Sequence, residues 1–406
     1  MSDGQRSYYL DYLRAFFVLM VVFDHVIHPY TYHFDRYWFI TDVDSSLVFD
    51  GLHLICYAVM VPGLFFLSGV FTPHSFKRRG LWGYICERMV RLGIPFGFGL
   101  VFIGAVIIYL QQVHSGKYTG TLIAFFTTRY FPDSMAATGF WYLSFLFVLT
   151  LVYVFIQLLW PGFSQWLGRC VAYGELYPGV GYCVLGCLLS TSIVGLEVPF
   201  GPWIWWSVFS PYLLAMGSLM GTYGILFCLG IGVYQHFGIG EPRLFGFLDN
   251  HRVFILVSTA FVVSVYLLIA LGYVNDGAFD MSLPLASYHH KIPTHALYAM
   301  MGDVPVVNWV RAALLGFVML GLLLTGVWVF GRYLDKPVVP WQTLAHTSYG
   351  IYIFHEALVL GGHIVFYGGG VPLILRVFLI FGVSVCVPLV LVKHGLRRVP
   401  GLSRVL

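Results

Sequence analysis

Arg14 and His25 lie eleven residues apart in the first long apolar stretch of the chain, between Tyr8 and Pro29. An ionisable side chain at membrane depth costs about 2.5–3.5 kcal/mol by insertion scales, so such residues usually mark a working site. At 100° per residue, eleven steps come to about three turns plus 20°, and both side chains leave a helix on the same side. Their Cα atoms would stand roughly 16 Å apart along the axis, which suits an extended ligand held at one end and attacked at the other. His25 is the candidate general base, since a neutral imidazole takes a proton from a hydroxyl near pH 7 and typically contributes about 10²–10⁴-fold in rate. A packing histidine that donates to a neighbouring carbonyl is the competing reading. Asp24 sits one step round the helix, where it would orient or neutralise a deeper group, and Asp11 is spaced to pair with Arg14.

Two further clusters carry polar chemistry. In Glu87-Arg-Met-Val-Arg91-Leu-Gly-Ile-Pro95, Arg88 and Arg91 fall on successive turns. Two guanidinium forks so placed can grip a phosphate or pyrophosphate through charge-assisted bonds; fixing topology or touching lipid headgroups is the alternative. In Ser348-Tyr-Gly-Ile-Tyr352-Ile-Phe-His355-Glu356, Ser348 and His355 are seven residues apart and Tyr352 lies between them on the same side. Such a stripe either lines a reaction chamber or bonds across helices. The chain has no Walker A motif, His-x-x-x-His pair, Gly-x-Ser-x-Gly elbow or Cys-x-x-Cys. ATP hydrolysis, zinc hydrolysis and serine esterase chemistry are therefore not expected, nor is a bound metal.

The elements that must position these residues are membrane helices. Of 406 residues 59% are hydrophobic and only 10% charged, with mean hydropathy +0.82, against about 25% charged in soluble domains. An all-α polytopic bundle is expected, one domain over residues 1–406, with about ten spans of roughly twenty residues. They fall near 8–30, 47–71, 89–111, 141–160, 180–197, 212–236, 253–273, 310–331, 345–367 and 372–393. The tract from Trp203 to Pro211 reads as an interfacial aromatic belt, a re-entrant piece or the start of the sixth helix. With both termini cytoplasmic, 15 of the 22 Lys and Arg fall inside and 6 outside, leaving Arg14 in the membrane. The net charge of +4 follows from that bias and gives no reason to expect nucleic-acid binding. No cleavable signal peptide or disulfide framework is expected. Two long outer loops are expected at 112–140 and 274–309. The second carries Asp276, Asp280, His289, His290, Lys291, His295 and Asp303, and would either receive a sugar or serve as a solvated connector.

Taken together, Arg14 and His25, Phe65-Phe-Leu-Ser-Gly69, Arg88 and Arg91, Trp141-Tyr-Leu143 and the Ser348 to His355 stretch resemble the acyltransferase 3 family of integral membrane acyltransferases. The order and spacing run over almost the whole chain. Within the family, Tyr9-Leu-Asp-Tyr-Leu-Arg14 and Arg91-Leu-Gly-Ile-Pro95 look most like the branch of glucans biosynthesis protein C, which succinylates periplasmic glucans. The resemblance implies transfer of an acyl group, acetyl or succinyl, from cytoplasmic acyl-CoA to a hydroxyl of an extracytoplasmic carbohydrate, in the inner membrane of a bacterium. It also implies functional roles for Arg14, His25, Arg88 and Arg91.

On that reading Arg14, Arg88, Arg91 and Ser348 bind the donor. His25 and Asp24 serve the proton transfer, while Tyr352 or His355 stabilises the oxyanion. A covalent acyl-enzyme on His25 or Ser68 is an alternative course. No cofactor is bound permanently; the partners are acyl-CoA, the carbohydrate acceptor and membrane lipid. Rival readings are a transporter or flippase for a lipid or glycan, and the membrane-bound O-acyltransferase class, in which His355 would be the late histidine.

Overall fold

The first apolar stretch forms α1 (Tyr8–Ile27), and its start is capped from the far end of the sequence. Ser7 makes no side-chain cap; instead Asp335 Oδ1 accepts from the N–H groups of Tyr8 and Tyr9, at 2.9 and 3.3 Å. The carboxylate thereby satisfies two of the four donors that a helix start leaves open. The structure, a computed structural model, describes residues 7–34, 38–200, 205–209, 213–238, 242–275, 306–368 and 370–399. Its helices are α1, α2 (Leu47–Arg88), α3 (Ile94–Phe98), α4 (Gly104–His114), α5 (Leu122–Phe125), α6 (Trp141–Leu159), α7 (Phe163–Leu176) and α8 (Pro178–Phe200). They continue with α9 (Met220–Phe237), α10 (Pro242–Asn250), α11 (Arg252–Asn275), α12 (Val306–Leu334), α13 (Val339–Phe366) and α14 (Leu373–His394).

Among the described residues eight segments are long and apolar enough to cross a membrane. One of them, Leu47–His114, holds 68 residues; straight, it would measure roughly 100 Å against a hydrocarbon core of about 30 Å. It folds back at Gly80, whose φ of 68° a residue with a Cβ rarely adopts. Tyr84 Oη reaches Thr72 Oγ1 at 3.4 Å, and Ser75 Oγ donates to Glu87 Oε2 at 2.9 Å. Partners twelve residues apart would be roughly 18 Å apart on a straight helix, so α2 is a hairpin. α1 stands outside the eight because Asp11, Arg14 and Asp24 all lie within it. Adding α1 and counting both arms of the hairpin gives ten long helical segments among the described residues, where about ten spans were expected.

The expected sixth span, 212–236, is corrected. β1 (Trp205–Phe209) and β2 (Leu213–Met216) pair antiparallel, with Trp205 opposite Met216, and α9 begins only at Met220. Aromatic and β-branched residues favour strands, and Pro211 cannot continue a helix. The stretch 112–140 is likewise less open than expected: α4 reaches His114, and Leu122–Phe125, Phe126–Ser134 and Thr138–Phe140 are helical. The histidines and aspartates expected in the second long loop lie outside the described residues.

α1 occupies the centre, packed by α2, α12, α13 and α14. The arm of α2 that runs to Gly80 presses on α9. A Cβ on Gly69 would stand 2.0 Å from the Phe227 carbonyl oxygen, and one on Gly230 2.1 Å from that of Phe66. Only glycine allows this approach of backbones, the usual means by which membrane helices gain contact area. Two buried ion pairs tie the bundle. Glu197 of α8 accepts from Arg311 of α12 at 2.5 Å and from Asn308 at 3.0 Å, while Arg311 Nε donates to Asn308 at 2.8 Å. Arg376 of α14 donates to both oxygens of Asp42 at 3.1 Å and to Asp44. Both arginines are 0% exposed, near the starts of α12 and α14, at the helix ends where the sequence count placed them.

Candidate active site

α1 and α13 lie side by side and bring His25 against His355. His25 Nδ1 and His355 Nε2 are 3.1 Å apart, with the rings near parallel at 19°. His355 Nδ1 stands 2.7 Å from the Tyr352 carbonyl oxygen. A carbonyl only accepts, so His355 carries its proton on Nδ1 and offers a lone pair at Nε2. His25 must then donate from Nδ1, which leaves His25 Nε2 as a lone pair. The pair is thus a directional relay whose basic end is the partly exposed His25, the buried His355 standing behind it. This has the logic of an orienting group fixing a catalytic imidazole tautomer.

Tyr352 and Glu356 turn to a different task. Tyr352 Oη donates to the Gly139 carbonyl at 2.5 Å, and both Glu356 oxygens accept from the Gly139 N–H, at 2.8 and 3.0 Å. They clamp the turn Thr138–Phe140, where Thr138 holds φ 42°, a strained value for a β-branched residue. The expected oxyanion role is corrected accordingly. The Tyr352 hydroxyl is occupied by Gly139 and the His355 N–H by Tyr352, so neither presents a free donor; both act as supports.

Around His25 the structure gathers residues that sequence reasoning missed. The Trp38 ring lies 4.8 Å from that of His25, and Trp38 Nε1 donates to His363 Nδ1 at 3.0 Å. His363 Nε2 in turn meets the Val26 carbonyl at 3.0 Å. Asp24 does not address His25: its Oδ1 is 2.8 Å from His53 Nδ1, and Oδ2 is 4.0 Å from His28 Nδ1. His53 carries the signal that marked His25, a histidine inside an apolar run, here Leu52-His53-Leu54. Trp38 gives none, being one aromatic among many.

Towards the start of α1 the character changes. Arg14 pairs with Asp11 at 3.2 Å, as expected, and reaches the Ala345 carbonyl at 3.5 Å, yet its side chain is 41% exposed. Ser348 donates to the same Ala345 carbonyl at 3.1 Å, so its hydroxyl proton is spent on its own helix. Arg88 lies over the Tyr84 ring at 4.7 Å, and its buried Nε has no hydrogen-bond partner. Arg91 is more exposed and only 3.5 Å from Glu87, whose nearer partner is Arg79 at 2.8 Å. The Tyr142 hydroxyl, 3.2 Å from Ser68 Oγ, is within electrostatic reach of both Arg14 and Arg88. From Tyr142 the rings of Tyr352 and His355 follow at 5.9 and 5.8 Å spacing. A line of aromatic and polar groups thus joins the arginines to the histidine pair. Ser68 belongs to that line through Tyr142 and bonds back to the Leu64 carbonyl at 2.8 Å.

A cluster of cationic arginines at one end, an oriented histidine pair at the other and a membrane-helical frame fit the class of membrane transferases. A family model described as an acyltransferase domain matches residues 7–393. The chain belongs to the acyltransferase 3 family of integral membrane acyltransferases. No curated protein and no solved structure matches it.

Proposed function

We propose that the protein is an O-acyltransferase that carries an acetyl or succinyl group from acyl-CoA to a hydroxyl of an extracytoplasmic glycan, with His25 as general base. The observation that carries this reading is the hydrogen bond between His25 and His355, whose tautomers leave a lone pair on His25 Nε2. His25 Nε2 takes the acceptor hydroxyl proton as the oxygen attacks the thioester carbon. The C–S bond breaks on collapse of the tetrahedral intermediate, and the proton leaves with the thiol of CoA. His355 Nε2, accepting from His25 Nδ1, stabilises the imidazolium that forms in between. The donor enters where Arg14, Arg88 and Arg91 meet its phosphates, the cytoplasmic side in this reading, and its acyl end lies along Tyr142 and Tyr352. The setting is the inner membrane of a bacterium with both termini cytoplasmic, and the acceptor resembles that of the glucan-succinylating branch.

The test uses purified protein in lipid vesicles, labelled acyl-CoA and mass spectrometry of the glycan. His25→Ala is expected to lose transfer by at least about 10²-fold while donor binding persists. Full transfer by that variant ends the assignment of His25, and donor uptake without turnover makes the protein a transporter.

A further inference from the structure

The acyl-transfer reading does not use Asp24, His28 and His53. We infer that these three residues form a binding site for one divalent transition-metal ion of the zinc class. They come from three elements: Asp24 from the last turn of α1, His28 from the 3-10 turn that follows, and His53 from the second turn of α2. One ligand atom from each lies within 4.8 Å of the other two, and all three residues are buried. Asp24 is 2.8 Å from His53 and 4.0 Å from His28. Ligands around a tetrahedral zinc, at bond lengths of about 2.0–2.1 Å, stand roughly 3.4 Å apart. The two observed separations straddle that figure and the third, between His28 and His53, is at most 4.8 Å, so an ion would draw together side chains that already converge.

The second observation is the under-satisfied ring of the buried His28. Neither of its ring nitrogens closes a hydrogen bond of full geometry, the Phe34 backbone and Asp24 being near polar neighbours, although the residue is only 8% exposed. Buried polar atoms are nearly always satisfied, and orphans of this kind often mark an absent ion or water. Two imidazoles and one carboxylate make a donor set that suits zinc and neighbouring divalent transition metals over magnesium or calcium. On binding, the Asp24–His53 hydrogen bond gives way to two metal bonds, and the His53 ring proton moves from Nδ1 to Nε2 without a change of charge. The sequence expectation of no metal rested on the lack of a His-x-x-x-His pair; here an Asp takes the first place of an i, i+4 pair and the third ligand comes from another helix.

The ion would sit beside the reaction centre without belonging to the His25 relay. The Trp38 ring contacts both, tilted at 4.8 Å from His25 and stacked at 5.8 Å from His28. It would fasten the end of α1 to α2, and its open fourth position would take water.

The experiment reads the metal directly and so is independent of acyl transfer. Full-length protein in detergent is stripped with chelator, equilibrated with zinc, desalted and assayed for bound metal. About one zinc per chain is expected; His28→Gln and His53→Gln should each raise the zinc Kd at least about tenfold, while His25→Gln keeps its ion. No bound zinc in folded wild-type protein overturns the site, as does unchanged zinc in both variants or loss of the ion in His25→Gln. Should the variants not be recovered folded, the cobalt-loaded wild-type protein decides. The intense visible bands of four-coordinate cobalt support the site, and the weak bands of the hydrated ion overturn it.

Discussion

Arg311 and Arg14 are both arginines on membrane helices, yet they live in opposite electrostatic conditions. Arg311 is wholly buried, with Glu197 and Asn308 against its guanidinium. Arg376 is matched in the same way by Asp42 and Asp44. Arg14 has one carboxylate 3.2 Å away and a side chain 41% exposed, and Arg88 leaves its Nε without a hydrogen bond. A charge balanced inside the protein is a strut, whereas a charge left partly unbalanced beside a line of polar groups is available to a ligand. Cost at membrane depth therefore identifies residues that matter, and partner geometry says for what.

The largest effect should follow from breaking a strut. Glu197→Gln leaves Arg311 charged at 0% exposure, and removing one partner of a buried pair typically costs about 3–5 kcal/mol. Folded yield and thermal unfolding in detergent should fall sharply for Glu197→Gln and for Arg311→Met. The double change Glu197→Leu with Arg311→Met should recover most of the loss, because no buried charge then remains. If Arg14→Ala destabilises as much as Arg311→Met, the contrast between strut and ligand site is broken.

Next comes Arg88→Ala. Hydrogen bonds to charged groups contribute about 1.5–3 kcal/mol, so donor affinity should fall roughly 10–150-fold by titration with acyl-CoA, with little change in unfolding temperature. Unchanged affinity would reassign Arg88 to topology.

Asp42→Asn asks whether a strut reaches the site. Asp42 holds Arg376, and the same segment, 38–46, carries Trp38 onto His25. With Asp44 still paired to Arg376, the change should cost about 1 kcal/mol. Transfer should slow a few-fold while acyl-CoA affinity stays constant; a loss of affinity instead would place the clamp on the donor path.

Much of this arrangement was legible from the chain. Arg14 and His25 share a face of α1 because helical geometry leaves no choice, and the long apolar helices followed from hydropathy. Arg311 was not legible as a strut: its partner Glu197 is 114 residues away in another helix, and no local period encodes that pairing. The His25–His355 contact, the Asp24–His53 contact and the Asp335 cap of α1 are equally long-range. The tautomer of His25 depends on a carbonyl three residues before His355, so it becomes visible only once α1 and α13 are docked. The strands Trp205–Phe209 and Leu213–Met216 were missed for a different reason, since hydropathy reports burial in lipid or core without distinguishing a strand from a helix in a short apolar run.

The smallest effect, and the finest test of the contrast, belongs to Arg91. Its side chain is 56% exposed and stands 3.5 Å from Glu87, which Arg79 already holds at 2.8 Å. Exposed pairs of this kind contribute about 0–1 kcal/mol, so Arg91→Ala should leave thermal unfolding almost unchanged. Its backbone is better fixed than its side chain, because the Tyr349 hydroxyl donates to the Arg91 carbonyl. A guanidinium on a fixed backbone with a loose side chain can swing onto a bound phosphate. It loses more rotamer freedom in doing so than Arg88, whose plane already rests on Tyr84. Arg91→Ala should therefore weaken acyl-CoA binding by a smaller factor than Arg88→Ala, about two- to tenfold. Raised salt should narrow the difference between wild type and Arg91→Ala, since an exposed charge is screened. An Arg91→Ala defect equal to that of Arg88→Ala, and insensitive to salt, would mean that the two arginines grip the donor as one preformed fork.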